Sequence, residues 1–207
     1  MWKKIVYLTL ILMIPSCDVK INCPGFPVTH LVWMPYIQGE EFSLTDGIDT
    51  FQFIAELVDI TKAYTFTGTK LNYFNPPSER SCDRYARCII AGPKHVYSMI
   101  QIHGDQHGVI DWTHFLISFS TSNSDPYEDF YFTYGVENNV EKVSSSLPGV
   151  EILSSYDNGY KIFSDVLKIE NDTLFSYKQI YQIYIAKNIG FIQIKDRVNH
   201  KTWSLIE

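Results

Sequence analysis

Tyr181-Gln182-Ile183-Tyr184-Ile185-Ala186-Lys187-Asn188-Ile189-Gly190-Phe191-Ile192-Gln193-Ile194 decides the fold class. Tyr181, Ile183 and Ile185 alternate onto one side of an extended chain, and period two means a strand. Lys187-Asn188 is a turn signal. Gly190 to Ile194 then returns as a second apolar run. Glycine within a strand marks a bulge or a close backbone approach, so Gly190 is expected at one or the other.

The same grammar extends in both directions. Upstream, Asp157-Asn158-Gly159 turns the chain into a strand over Tyr160 to Ile169. Downstream, Asp196 to Lys201 turns it into Thr202-Trp203-Ser204-Leu205-Ile206. These segments predict an antiparallel β-meander reaching residue 206. Earlier in the chain, Phe51, Phe53, Ala55 and Leu57 alternate behind the Asp46-Gly47 turn signal. Val96, Ile100 and Ile102 share a face, as do Phe115, Ile117 and Phe119, and then Phe130, Phe132, Tyr134 and Val136. Aromatic and β-branched residues at such positions suit a half-buried pleated sheet. Asn75-Pro76-Pro77-Ser78 interrupts the pattern, because proline lacks the ladder donor. Ser144 to Gly149 is another break, where a domain boundary is allowed but not required. Asn138 to Ser145 is the best helical candidate, and it is short. The expectation is a mainly β chain, an antiparallel sandwich or open barrel ending in a β-meander, in a single domain over residues 28–207.

The amino terminus has a different character. Lys3 and Lys4 precede an apolar stretch of eleven residues, Ile5 to Pro15. A membrane-spanning helix needs about 20 apolar residues, so this stretch has instead the length of a secretory leader. Cleavage after Ser16 leaves Cys17 as the first residue. Met13-Ile14-Pro15-Ser16-Cys17 resembles the lipobox of bacterial lipoproteins, in its looser Bacteroidetes form. That resemblance implies a signal peptide over 1–16, acylation (palmitate among the chains) at Cys17 and a lipidated tether over 17–27. Two or three acyl chains hold a protein at a bilayer where one does not. It places the chain in the cell envelope as an outer membrane lipoprotein, periplasmic or surface-facing. Cys23-Pro24-Gly25-Phe26 and the closing meander, from Gly159-Tyr160 to Trp203-Ser204-Leu205, also resemble uncharacterised Bacteroidetes lipoproteins. The likeness covers the two ends of the chain and carries over no catalytic residue.

Composition narrows the function. The chain carries 17 basic and 23 acidic residues, a net charge of −6, and loss of Lys3 and Lys4 with the leader makes the remainder more acidic. No basic stripe is present, so nucleic acid is not an expected partner. Aromatic content is 15%, enough with the aliphatic residues for a packed core. The expected partners are the bilayer, through Cys17, and a glycan or an envelope protein.

Three further cysteines, Cys23, Cys82 and Cys88, would lie in an oxidising compartment. Cys82 pairing with Cys88 is the preferred disulfide, with Cys23 bonded to either as the alternative, since connectivity cannot be read from sequence. His103-Gly104-Asp105-Gln106-His107-Gly108, with Asp111 and His114, is dense in imidazole and carboxylate. Such groups can bind a divalent metal or act as a general base. The spacing matches no metalloprotease helix, and a hairpin turn at Gly104–Gly108 accounts for the composition. His103, His107 and His114 are therefore metal candidates only, and no metal, cofactor or catalytic residue is assigned. Glu40-Glu41 and Glu128-Asp129 are sequence neighbours, which on a strand face opposite ways. Tyr36, Tyr73, Phe74, Tyr127 and Tyr131 lie in or near loop-like stretches and could form a stacking surface, although core packing is the usual fate of such residues. No nucleophile elbow, P-loop or dinucleotide fingerprint is present.

The reading is a non-catalytic envelope module that binds a ligand or partner. A histidine-dependent hydrolase or metal enzyme, and a purely structural envelope component, are the alternatives.

Overall fold

Two runs of strands fold as two meanders and join where the first strand pairs with the last. The computed structural model describes residue 26 and residues 28–66, 80–93, 97–105, 112–120, 128–137, 140–145, 149–171 and 179–206. After the one-turn helix α1 (Val28–Leu31) come β1 (Glu41–Thr45), β2 (Thr50–Phe66), β3 (Arg80–Ala91), β4 (Tyr97–Asp105), β5 (Trp112–Ser120), β6 (Glu128–Glu137) and β7 (Val140–Ser144). The second run is β8 (Val150–Asp157), β9 (Ile162–Glu170), β10 (Ile180–Ala186), β11 (Gly190–Asp196) and β12 (Lys201–Leu205). All pair antiparallel in one twelve-stranded sheet, ordered β7-β6-β5-β4-β3-β2-β1-β12-β11-β10-β9-β8. The sheet curls into an open barrel, nearly closed, with one seam between β7 and β8. The mainly β expectation holds, and of its two architectures the open barrel is the one formed.

Alternation decides which face is inside. Ile100 and Ile102 on β4, Phe115 and Ile117 on β5, and Phe130 and Phe132 on β6 are buried. Their registered partners on β3 are Cys88 and Ala86, which are buried as well. On β2 a register shift between Ala55 and Leu57 moves the phase by one residue, so Val58 rather than Leu57 opposes Cys88. Asn138 to Ser145, the best helical candidate, is from Val140 to Ser144 the edge strand β7. There Val143 opposes Tyr134, and pairing with β6 outweighs a weak helical pattern.

The Cys82–Cys88 bridge is not formed. Both residues lie on β3, six positions apart. A strand rises ~3.4 Å per residue, so their Cα atoms stand about 20 Å apart, whereas a disulfide spans about 4.4–6.8 Å. Cys88 is a buried free thiol. Burial, and then the charge of Glu40, push it up to about 12, which keeps it un-ionised and unreactive. Cys17 and Cys23 lie outside the described residues.

One end of the barrel is closed by the chain before β1. Phe26, expected within the tether, is already buried, and its ring lies 5.7 Å from the Arg84 guanidinium on β3. His30 Nδ1 is 2.5 Å from Thr113 Oγ1 on β5. Trp33 is fully buried and meets Tyr134 of β6 edge-on at 6.0 Å, while Lys187 lies 5.9 Å from its ring. Asn188 N–H donates to Val32 O at 2.8 Å, and Phe191 N–H donates to the Tyr36 hydroxyl at 2.7 Å. Phe26 and residues 28–36 thus form a strap running from β3 past β5 and β6 to the β10–β11 turn. On the edge strand, Glu141 pairs with Lys187 of that turn. Side chains, rather than a ladder, link the two halves there.

The β8–β9 tip adds a polar clasp on the outer face. Asp165 adopts φ 52, beyond the last pairing of β9 with β10 at Val166. Asn158 in the tip donates from Nδ2 to Ile192 O at 3.1 Å and Leu205 O at 2.8 Å. Its Oδ1 accepts from the Tyr160 and Lys161 N–H groups, both at 2.9 Å. Tyr156 stacks on Tyr184 at 4.0 Å and donates to Gln193 Oε1 at 2.5 Å. Asn158→Ala removes the donor to two buried carbonyls and the acceptor of two turn amides, and the expected loss is about 2–3 kcal/mol, read as a lowered urea midpoint.

Candidate functional site

The barrel end away from the strap holds an apolar cavity of about 360 Å³. It forms where β1 ends, β2 begins and the short turns of the second meander arrive. Leu44, Phe51 and Phe53 come from the β1–β2 hairpin, and Phe119 from the end of β5. Ile180, Ile194 and Trp203 come from β10, β11 and β12. The Phe51 and Trp203 rings are 4.5 Å apart, so they touch across β1 although 152 positions separate them in sequence. Gly92 is needed here for close approach: a Cβ on it would stand 2.5 Å from the Phe53 ring.

The rim is polar, and Lys201 there faces two carboxylates. Asp46 Oδ1 accepts the Ile48 and Asp49 N–H groups, at 3.0 and 2.7 Å, which shapes the β1–β2 turn. Lys201 Nζ reaches Asp46 Oδ2 at 2.6 Å and Asp49 Oδ2 at 3.6 Å, and lies 4.9 Å from the Trp203 ring. The Lys201 contact, with the Asp49 and Ile48 amides, holds the Asp46 carboxyl down at about 2. A depressed carboxyl contributes above its ordinary range and stops contributing as the pH falls through its folded value. The rim pair is therefore intact at neutral pH and opens only in strong acid. Asp196 accepts from Gln179 Nε2 at 2.6 Å and Asn199 Nδ2 at 2.7 Å. An apolar well with a few convergent polar groups at its lip has the chemistry of a small-molecule pocket, and its volume lies at the lower end of the ~300–1,000 Å³ such pockets occupy.

No protein-family model, curated protein or solved structure matches this chain.

The residues singled out from sequence fall elsewhere. His103 on β4 and His114 on β5 are registered directly opposite each other, both exposed on the outer face. His107 and Asp111 lie outside the described residues. Among the described residues, no three His, Cys, Asp or Glu side chains cluster to hold a metal. Tyr36 is buried against Phe42, with the rings 5.5 Å apart, and belongs to the strap. Tyr131 is 54% exposed and lines a shallow outer groove beside His114 and Thr133. Tyr73, Phe74 and Tyr127 lie outside the described residues. The neighbouring carboxylates part company: Glu40 accepts the Ile37 N–H, while Glu41 accepts from Gln52 Nε2. Asp129 accepts from Ser118 Oγ.

Of the cavity walls, only the alternating positions were visible in sequence. Their convergence depends on β1 pairing with β12, Leu44 opposite Leu205, and no local pattern signals that contact.

Proposed function

We propose that this chain is a lipid-anchored envelope protein whose open barrel acts as a non-catalytic binding cup for an apolar small molecule or acyl chain. The observation that carries the reading is the cavity: seven apolar side chains from β1, β2, β5, β10, β11 and β12 wall it, and at its lip Lys201 is already paired with Asp46 and Asp49. The strap supports the same reading, since a barrel closed at one end and hollow at the other is a cup. Anchoring rests on the apolar leader and on Ser16-Cys17, both outside the described residues. No helix among the described residues is long and apolar enough to cross a membrane.

Two measurements test this. A brominated long-chain alcohol titrated into the chain lacking residues 1–17 should quench Trp203 saturably. Trp203→Phe should lose that quenching while calorimetry still detects binding. Phe51→Glu, which sets a carboxylate in the cup, should weaken binding by tenfold or more. Absence of saturable binding to the parent chain would refute the cup. Intact mass of the membrane-bound protein, with Cys17→Ala as control, should show two or three acyl chains on Cys17; an unmodified, freely soluble product would refute the anchor.

A further inference from the structure

The β4–β5 ladder runs without a register shift from Tyr97↔Ser120 to Asp105↔Trp112, and His103 faces His114 within it. Ile102 and Phe115, their inward neighbours, are buried, so the two imidazoles stand together on the outer face. Directly opposed residues on antiparallel strands have Cβ atoms about 4.5–5.5 Å apart. Two side chains that each end in a nitrogen donor can then converge on one ion. The Tyr85 ring, 4.9 Å from that of His103, flanks the pair on β3, and Thr133 stands opposite His114 on β6. We propose that His103 and His114 form a two-imidazole chelate for a borderline divalent transition metal ion.

The chemistry selects the metal class. Imidazole suits Cu2+, Ni2+ and Zn2+, and hard ions such as Mg2+ and Ca2+ prefer oxygen. With no third His, Cys, Asp or Glu in the cluster among the described residues, water completes the coordination shell. An open shell of that kind holds an exchangeable ion, unlike the closed four-ligand shells of structural zinc. The rigid ladder presets the spacing, so no ordering of a loop opposes binding. A ligating imidazole must be neutral, and binding therefore falls on acidification. The site lies on the outer face of β4 and β5, away from the residues that wall the cup, and does not depend on that reading.

The test is a calorimetric titration of Ni2+, then Cu2+, into the tag-free chain with accessible thiols alkylated. One ion per chain is expected, Cu2+ tighter than Ni2+ as the general order for nitrogen sites requires. His103→Ala and His114→Ala should each abolish that stoichiometric site while leaving the thermal midpoint of the metal-free chain unchanged, because both side chains are exposed. His107→Ala and His200→Ala should retain it. Binding that survives both His103→Ala and His114→Ala, or that vanishes with His107→Ala, overturns the proposal.

Discussion

Trp33→Ala is expected to destabilise the fold by about 3–5 kcal/mol, the range for removing a large buried aromatic side chain. Trp33 is fully buried among groups that share no strand with one another. Tyr134 of β6 meets it on one side, Lys187 of the β10–β11 turn lies over its ring, and Val32 beside it accepts the Asn188 N–H. The indole therefore joins the first meander to the second at the strap end, beside a seam that has no ladder. Its loss leaves a cavity in the floor of the barrel, and the neighbours, fixed in their strands, can close it only in part. Urea unfolding should show a lowered midpoint, and Trp33→Phe should restore much of the difference by refilling the space. If alanine costs under about 1 kcal/mol, the strap is not part of the cooperative core.

Gly190→Ala should be nearly as severe, at about 3–5 kcal/mol, from overpacking added to backbone strain. Gly190 has φ 96, a region that L side chains rarely adopt. A Cβ there would also overlap the Tyr36 hydroxyl and lie 2.5 Å from its Cζ. That hydroxyl accepts the Phe191 N–H, so moving the ring breaks a buried hydrogen bond as well as shifting the strap. The double variant Gly190→Ala with Tyr36→Leu separates the two costs. Relief of the overlap should make the pair less damaging than the sum of the singles, leaving the φ cost behind. Strict additivity in equilibrium unfolding would mean that the contact does not set the energetics.

Gly190 also marks how far local reading reaches. Of the two alternatives offered by a glycine in a strand, the close approach is the one realised there: the Tyr36 ring comes up against the backbone, while Gly190 pairs with Ala186 and the register shift of β10–β11 falls further along, at Ile192. That the approaching group would be Tyr36, 154 positions away, had no sequence signal. Tyr36 itself looked like a loop aromatic, because its burial comes wholly from the barrel it enters. The cysteines fail in the opposite direction. A six-residue spacing suits a tight loop in isolation, but pairing with β2 and β4 holds β3 extended and draws Cys82 and Cys88 apart.

The alternation of apolar residues and the turn dipeptides were sufficient to determine that this chain builds antiparallel strands and where the last hairpins turn, and they placed the end of the second meander within one residue of Leu205. These are local properties, since pleat and turn geometry involve only a few neighbouring residues. The tertiary structure alone decided that β1 pairs with β12, that the strap seals one end, and that apolar side chains from six strands leave a hollow at the other. It also decided that His103 and His114 share a rung. Strand partnership and barrel closure are long-range, satisfied only by the whole set of ladder hydrogen bonds and buried faces at once. A period of two states that a residue faces one side, and only closure of the sheet makes that side the inside.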